Sequence, residues 1–486
     1  MKKQHFYVIV FLICLANIGF AQIPYNHRYT QLVFDEIVVE TNVVYGNAPA
    51  INFPYLDESN TSPQDLLMDI YSPVGDVLEF RPAIICVHSG AFVSGSKEAD
   101  DMVAFCDSMA HRGYVTASMD YRLGMNVFSS SSSTRAVYRG LQDGRTAIRF
   151  LKENALLYGI DTNNIYLLGS SAGAYVGQHN YYLDTEDERP PETYLSPDLG
   201  CLDCSGNDFE HNGGANGLVA LWGALIDTNL IISSDTLPVF LAHGTADATV
   251  PFGYGSAFGN DDFPATYGSS LVAEQLESFN VDVETYFVFG AGHEFYGTSN
   301  GNWPGSPNVY WDSVFTKVES FYYDIHKPVA GFSFEQMENI AVCYDTSSYA
   351  TSWYWDFGDG NYSIEQNPLH EYSEAGDFTI IQFVSNQLDS WDTASAHALV
   401  SVGIEESNEI KLSVFPVPAL HNVSITNDDH KSIQIVLSDG AGKIITQFKL
   451  EGFQKYDLDL SNYTKGVYFV IADNGYRKVF KKLIIL

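Results

Sequence analysis

The sequence predicts an α/β protein, a mostly parallel sheet with helices on both faces, followed by two small all-β sandwiches. Three observations carry this. Strand-like apolar runs alternate with helical patterns from Ala83 to about Ile325, as parallel strands with helical crossovers do. Four of those runs end in small-residue turns that hold polar side chains, which is where open α/β sheets gather chemistry, at strand carboxyl ends. Past His326-Lys327-Pro328 no helical pattern recurs, and alternating strands continue to the end. With 486 residues, two to four domains are expected.

In chain order, residues 1–21 read as a signal peptide. Lys2 and Lys3 precede an apolar run at 6–20, and Gly19-Phe20-Ala21 places small residues at the cleavage positions, so the mature chain is predicted to start at Gln22. The run is short for a membrane span, and no transmembrane segment is expected in the mature chain. Ile13 stands before Cys14 where a lipobox wants a small residue, which argues against a lipoprotein. Residues 31–45 and 66–71 read as strands. The serine run at 129–133 reads as a mobile loop. Residues 164–168 (NIYLL) suit a buried strand, and 172–182, free of proline, open a helix. Two insertions follow. Residues 184–217 are acidic and rich in Pro, Gly and Asn, a surface excursion or else a cap over a pocket; 256–268 form a second rim.

The chemistry is concentrated at residues 167–174 (LLGSSAGA), which contain G-x-S-x-G as Gly169, Ser171 and Gly173. This pattern needs a serine on a sharp strand-to-helix turn, with glycines where a Cβ would clash. The spacing leaves Ser170 off the apex. A serine hydroxyl is a poor nucleophile until a base removes its proton. His293, in the turn GAGH after the run TYFVF, would be that base; Asp247, in the turn HGTAD after LPVFLA, would fix its tautomer and stabilise its cation. Asp227 is a rival acid because it also follows a strand-like run; Asp261 and Asp262 are weaker rivals. An oxyanion needs N–H donors. Ala172 should supply one, and Gly90 and Ala91 in the loop after AIICVH the others, with Ser89 competing. His88 is expected to orient that loop. His111, His179 and His243 read as structural or solvated, and Glu294 is expected to point away.

These motifs resemble a known group. The order Ser171, Asp247, His293 is that of α/β-hydrolases. His88-Ser89-Gly90-Ala91-Phe92 resembles the H-G-G-G oxyanion motif of esterases of the carboxylesterase and hormone-sensitive-lipase groups, with Ser89 and Ala91 in place of two glycines. Asp120-Tyr121-Arg122-Leu123, the stretch 143–174 and the two downstream turns also resemble those enzymes, over about Gln64 to Ile325. Residues 355–360 (WDFGDG), with Asn367, His370, Tyr372 and the GDFT at 376–379, resemble a polycystic kidney disease (PKD) domain over about 328–403. That implies a spacer or a glycan-contacting module; Asp356 and Asp359 either stabilise its turn or bind calcium. Residues 412–486, with VFPVPA at 414–419 and GVYF at 466–469, resemble the C-terminal sorting domain of the type IX secretion system of Bacteroidetes, with Val417 where that family usually has Asn. The alternative there is a second adhesive sandwich. The expected domains are therefore 1–21 signal peptide, 22–327 α/β-hydrolase, 328–403 PKD-like, 404–411 linker and 412–486 sorting domain.

Composition narrows the partners. A net charge of −35 argues against nucleic acid or an anionic membrane surface. Five cysteines remain after the leader. The single pair Cys201-x-x-Cys204 lacks the second pair that zinc would want, so a local disulfide is expected, with Cys86 and Cys343 as buried thiols. No metal or cofactor is predicted. The expected function is a secreted or surface-attached serine carboxylesterase acting through an acyl-enzyme on acetylated or feruloylated polysaccharide, with the type IX machinery as export partner. The alternatives are a polyester or lipid hydrolase using the same triad, and a non-catalytic surface adhesion protein.

Overall fold

The computed structural model describes residues 26–401 and 409–486. The leader at 1–21 and residues 404–408 of the linker lie outside the described residues. By internal contacts the chain separates into two units. His27–Pro328 with Ser385–Trp391 form one; Val329–Val384 with Asp392–Leu486 belong to the other.

The first unit is built on an eight-stranded sheet. Its strands are β1 (Ile37–Ile51), β2 (Thr61–Pro73), β3 (Arg81–Val87), β4 (Val115–Met119), β5 (Ile160–Ser170), β6 (Leu218–Leu221), β7 (Val239–Gly244) and β8 (Val283–Val288), in the order β1-β2-β4-β3-β5-β6-β7-β8. The first two strands are antiparallel; the last six run parallel. Five helices cover it: α1 (Asp100–Ala110), α2 (Ser130–Glu153), α3 (Ala172–Tyr182), α4 (Ser269–Ser278) and α5 (Val309–His326). Alternate residues of the central strands feed two cores. Ile85 and Val87 face the core that holds α2, α3 and α4; Ile84 and Cys86 face the one that holds α1 and α5. This is the α/β architecture the alternation predicted. Among the described residues no helix is long and apolar enough to cross a membrane.

Two local expectations are corrected and a third, left open, is decided. The first strand begins at Ile37 and runs on to Ile51, through Pro49. Proline removes a ladder donor, but β1 is the outermost strand and one side of it needs no partner. The serine run at 129–133 is not a mobile loop. Ser129 caps α2, its Oγ accepting the Ser132 N–H at 3.3 Å, and Ser132 and Ser133 are buried in the first turn. Ser132 Oγ also donates to Glu58 at 2.7 Å.

The third concerns 184–217, which folds against α2 and not over the pocket. Buried arginines of α2 hold it. Arg135 donates to the Glu192 and Pro197 carbonyls (2.8 and 2.6 Å), and Arg145 and Arg149 both reach the Asp203 carboxylate at 2.6 Å. Burial would raise the Asp203 carboxyl, but these guanidiniums hold it below its ordinary value. Cys201 and Cys204 form a disulfide in this segment.

The second unit holds two β-sandwiches. In one, a three-stranded sheet (Phe332–Met337, Ile340–Asp345, Leu369–Glu371) faces a four-stranded one that includes Ser352–Asp356 and Gly376–Ser385, around buried Trp355, Phe357 and Tyr372. Asp356 accepts the Gly358 N–H at 2.9 Å, and Asp359 pairs with His370 at 2.8 Å, so both carboxylates brace the turn. In the other sandwich, Leu412–Phe415, Asn422–Asn427 and Lys455–Asp459 face four strands that end with Lys478–Ile485, around Ile425, Leu437 and Val470. Cys86, Cys106 and Cys343 are buried free thiols.

The capping geometry of α2 gives a direct check. Ser129→Ala is expected to lower stability by about 1 kcal/mol in urea unfolding, and a stability change near zero would mean the cap carries nothing.

Candidate active site

Ser171 sits on the turn between β5 and α3 with φ 54° and ψ −114°, a strained conformation for a residue with a Cβ. Its N–H is held by the Leu221 carbonyl of β6 at 3.0 Å. The flanking glycines are required by contact. A Cβ on Gly173 would stand 2.0 Å from the Val87 carbonyl oxygen, and one on Gly169 2.1 Å from that of Gly173. The strand end, the elbow and the β3 loop are thus pressed together backbone to backbone.

The loops after β7 and β8 complete the constellation. His293 Nε2 lies 2.9 Å from Ser171 Oγ, and His293 Nδ1 lies 2.7 Å from Asp247 Oδ2. Since Asp247 can only accept, Nδ1 carries the proton and Nε2 is left to accept from Ser171. The Asp247 side chain is closed off from solvent. Its Oδ1 accepts the N–H groups of Thr249 (2.7 Å) and Val250 (3.0 Å). Burial would raise this carboxyl, but bonds from His243 and His293, the His293 charge and the Val250 N–H hold it well below the usual carboxylate range. His243, read from sequence as structural or solvated, touches Asp247 at 3.3 Å and also meets the Val250 carbonyl and Ser269 Oγ. The sequence signal was its place in the same turn, four residues before Asp247. The rival acids lie elsewhere: Asp227 caps a short 3-10 turn, accepting the Asn229 N–H, and Asp261 and Asp262 are exposed on the outer rim.

The loop after β3 bends at Gly90 (φ 121°), whose carbonyl accepts the N–H groups of Val93 and Ser94. Ala91 and Phe92 follow with φ 50° and 59°. His88 braces this loop. Its Nδ1 donates to the Ser89 carbonyl at 2.5 Å, and its ring stacks on Tyr121 at 4.3 Å. Burial pushes His88 down to about 4, so it stays neutral there. Ala91 and Ala172 border the same cavity as Ser171. Ala172 is the first residue of α3, so its N–H has no partner within the helix. Ser89 turns the other way: its buried Oγ lies beside Gly301.

That cavity opens to solvent and is overwhelmingly apolar. Phe92, Val137 of α2, Tyr175 of α3 and Val250 form its walls, and Phe258 and Phe263 form its rim. The 256–268 rim is therefore where the sequence reading placed it, whereas 184–217 contributes nothing. The wall from α2 was missed, because Ser133 was read into a loop and Thr134 and Val137 carried no signal of a site.

A parallel sheet with a serine elbow at the end of its central strand, and an acid and a histidine on later strands, defines an α/β-hydrolase. Residues 68–193 match the BD-FAE family, 335–400 a PKD domain and 413–486 a secretion system C-terminal sorting domain. The chain thus carries an α/β-hydrolase domain of an esterase family, a PKD domain and a type IX sorting domain, the last marking it for export to the cell surface or beyond. Among curated relatives, the neuroligin-like protein glit-1 of Caenorhabditis elegans is 33% identical over 132 residues, 26% of this chain and 17% of the relative. Gut esterase 1 of Caenorhabditis briggsae is 36% identical over 94 residues, 19% of this chain and 17% of the relative. The chain thus spans about a sixth of the length of these relatives. Of solved structures, a propionate-bound thermophilic esterase from Thermogutta terrifontis aligns at 21% identity and a TM-score of 0.41, over 59% of this chain and 94% of that one.

The elbow contacts set an expectation for stability. Gly173→Ala must displace the Val87 carbonyl, and should lower stability by about 1–3 kcal/mol or prevent folding; an unchanged urea midpoint would show that the elbow has room to relax.

Proposed function

We propose that this protein is a secreted serine carboxylesterase, with Ser171 as nucleophile, His293 as general base and acid, and Asp247 as the group that orients and charges-balances His293. The observation that carries this reading is the unbroken hydrogen-bond path Ser171–His293–Asp247, at 2.9 and 2.7 Å, opening onto an apolar cavity. In the acylation step Ser171 Oγ attacks the ester carbonyl as its proton passes to His293 Nε2. The resulting oxyanion would be held by the N–H groups of Ala172 and Ala91, with Gly90 as the third candidate. His293 then returns its proton to the departing alcohol, leaving an acyl-Ser171. Water activated by His293 hydrolyses that ester and frees the acid. Asp247, kept ionised by its donors, stabilises the imidazolium in both halves.

The apolar walls favour an uncharged acyl or alkyl group next to Ser171. The PKD and sorting domains add a reason to expect a polymer outside the cell, and acetylated or feruloylated polysaccharide is the substrate class we favour. The aromatic and aliphatic lining also supports a second reading, hydrolysis of polyesters or lipids by the same triad. On either reading the catalytic domain is 22–327, with a PKD-like module at 328–403, a linker at 404–411 and a sorting domain at 412–486.

Release of p-nitrophenol from a series of acyl esters by the full chain tests the proposal. Ser171→Ala should lose roughly 10⁴-fold or more in kcat/KM. Equal rates in the two proteins would overturn the assignment and leave the adhesion reading. Val137→Trp fills the wall opposite Tyr175. It should lower kcat/KM on hexanoyl esters by about tenfold or more relative to acetyl esters; an unchanged ratio would place the acyl group elsewhere.

A further inference from the structure

Behind the elbow lies a second polar group that the mechanism above does not use. Asp101, in the first turn of α1, has no exposed surface. Its Oδ2 accepts from Tyr296 Oη at 2.7 Å, and its Oδ1 accepts the Met102 N–H at 2.8 Å. Glu294, the residue after His293, is also buried, and its Oε2 accepts the Gly301 N–H at 3.2 Å. The Gly301 carbonyl in turn accepts the Asp101 N–H at 3.0 Å. The Glu294 carboxyl and the Asp101 backbone N–H therefore hold one glycine between them, and among the described residues neither carboxyl meets a basic side chain within ion-pair distance. Ser89 Oγ, in the 88–91 loop, is buried beside the same glycine and has no hydrogen-bond partner among the described residues. Glu294 holds a strained φ of 46° directly after His293.

We propose that Asp101, beside the buried Glu294, is a positioning residue that keeps its proton, and that this proton keeps the His293 turn and the 88–91 loop seated against the Ser171 elbow. Two buried carboxyls without a cation cannot both ionise cheaply. The groups facing Asp101 are Glu294 and Tyr296 from the base turn, the Cys86 thiol from β3 and Asp100 on its own helix; none brings a positive charge. Burial, and then the Glu294 charge, push Asp101 up to about 7. Loss of the proton would set two negative charges against each other under His293. Since neither residue borders the apolar cavity, the effect should fall on kcat and not on KM.

The test rests on the esterase reading for one readout and not for the other. In the full chain, kcat on p-nitrophenyl butyrate should lose activity along an upper pH limb, at constant KM. Asp101→Asn and Glu294→Gln each prevent the double charge. Each should remove that limb or move it up by about one pH unit or more, with kcat below it kept within about threefold. A limb unchanged in both variants overturns the proposal, as does a uniform loss at every pH. The second readout is the unfolding temperature. A carboxyl raised in the folded state binds more protons there than in the unfolded chain, so its contribution is lost as pH climbs from about 4 toward 7. The wild type should therefore lose stability over that window relative to Asp101→Asn, and parallel curves would overturn the idea. Should the wild type hydrolyse no ester, the proposed function falls, and the unfolding curves alone decide this inference.

Discussion

The contact on which the site depends is between backbones. Gly173 lies against the Val87 carbonyl so closely that no side chain fits, and this contact presses the end of β3 onto the start of α3. It sets Ser171 at a strained φ of 54° and brings the 88–91 loop beside the Ala172 N–H. A flexible turn would not hold a strained serine; a turn gripped by two parallel strands does, because both strands are buried on both faces and cannot yield. The Leu221 carbonyl of the next strand, bonded to the Ser171 N–H, closes the grip from the other side.

Around that grip the polar groups are arranged by burial. Asp247 is ionised in a closed space because four donors converge on it; Asp101, in the first turn of α1, has fewer donors and a carboxylate neighbour. The same residue type is driven in opposite directions by what surrounds it. His88 shows the third case, a ring kept neutral by burial and held flat on Tyr121 so that it can support a loop.

The charge of the chain hides a related arrangement. With 25 basic against 60 acidic residues, the surface is strongly anionic, yet several arginines are not on the surface. Arg135, Arg139, Arg145 and Arg149 lie buried along α2, where they bind carbonyls and carboxylates of the β1–β2 hairpin and of 184–217. A buried guanidinium is costly without partners, so a proline- and glycine-rich segment with only two short 3-10 turns is held in one course. In sequence 184–217 read as an excursion or a cap from its own acidic, Pro-, Gly- and Asn-rich composition, which does not name the arginines that hold it.

Much of the molecule was legible without coordinates. The alternation of apolar strands and helices, the glycines around Ser171, the turns carrying Asp247 and His293, and the loss of helical pattern after Pro328 are local features, and local chemistry determines them. Strand ends and turn residues therefore marked where the triad residues would lie. What only the tertiary structure decided are matters of packing between distant segments. These include the apolar wall that α2 presents to Ser171, the hold of the α2 arginines on 184–217, and the meeting of Asp101 with Glu294 across 193 positions of chain. Periodicity reports which face of an element is buried, but not against what; a side chain's partner is chosen by the strand order of the sheet, and that order has no signature in any one stretch of sequence.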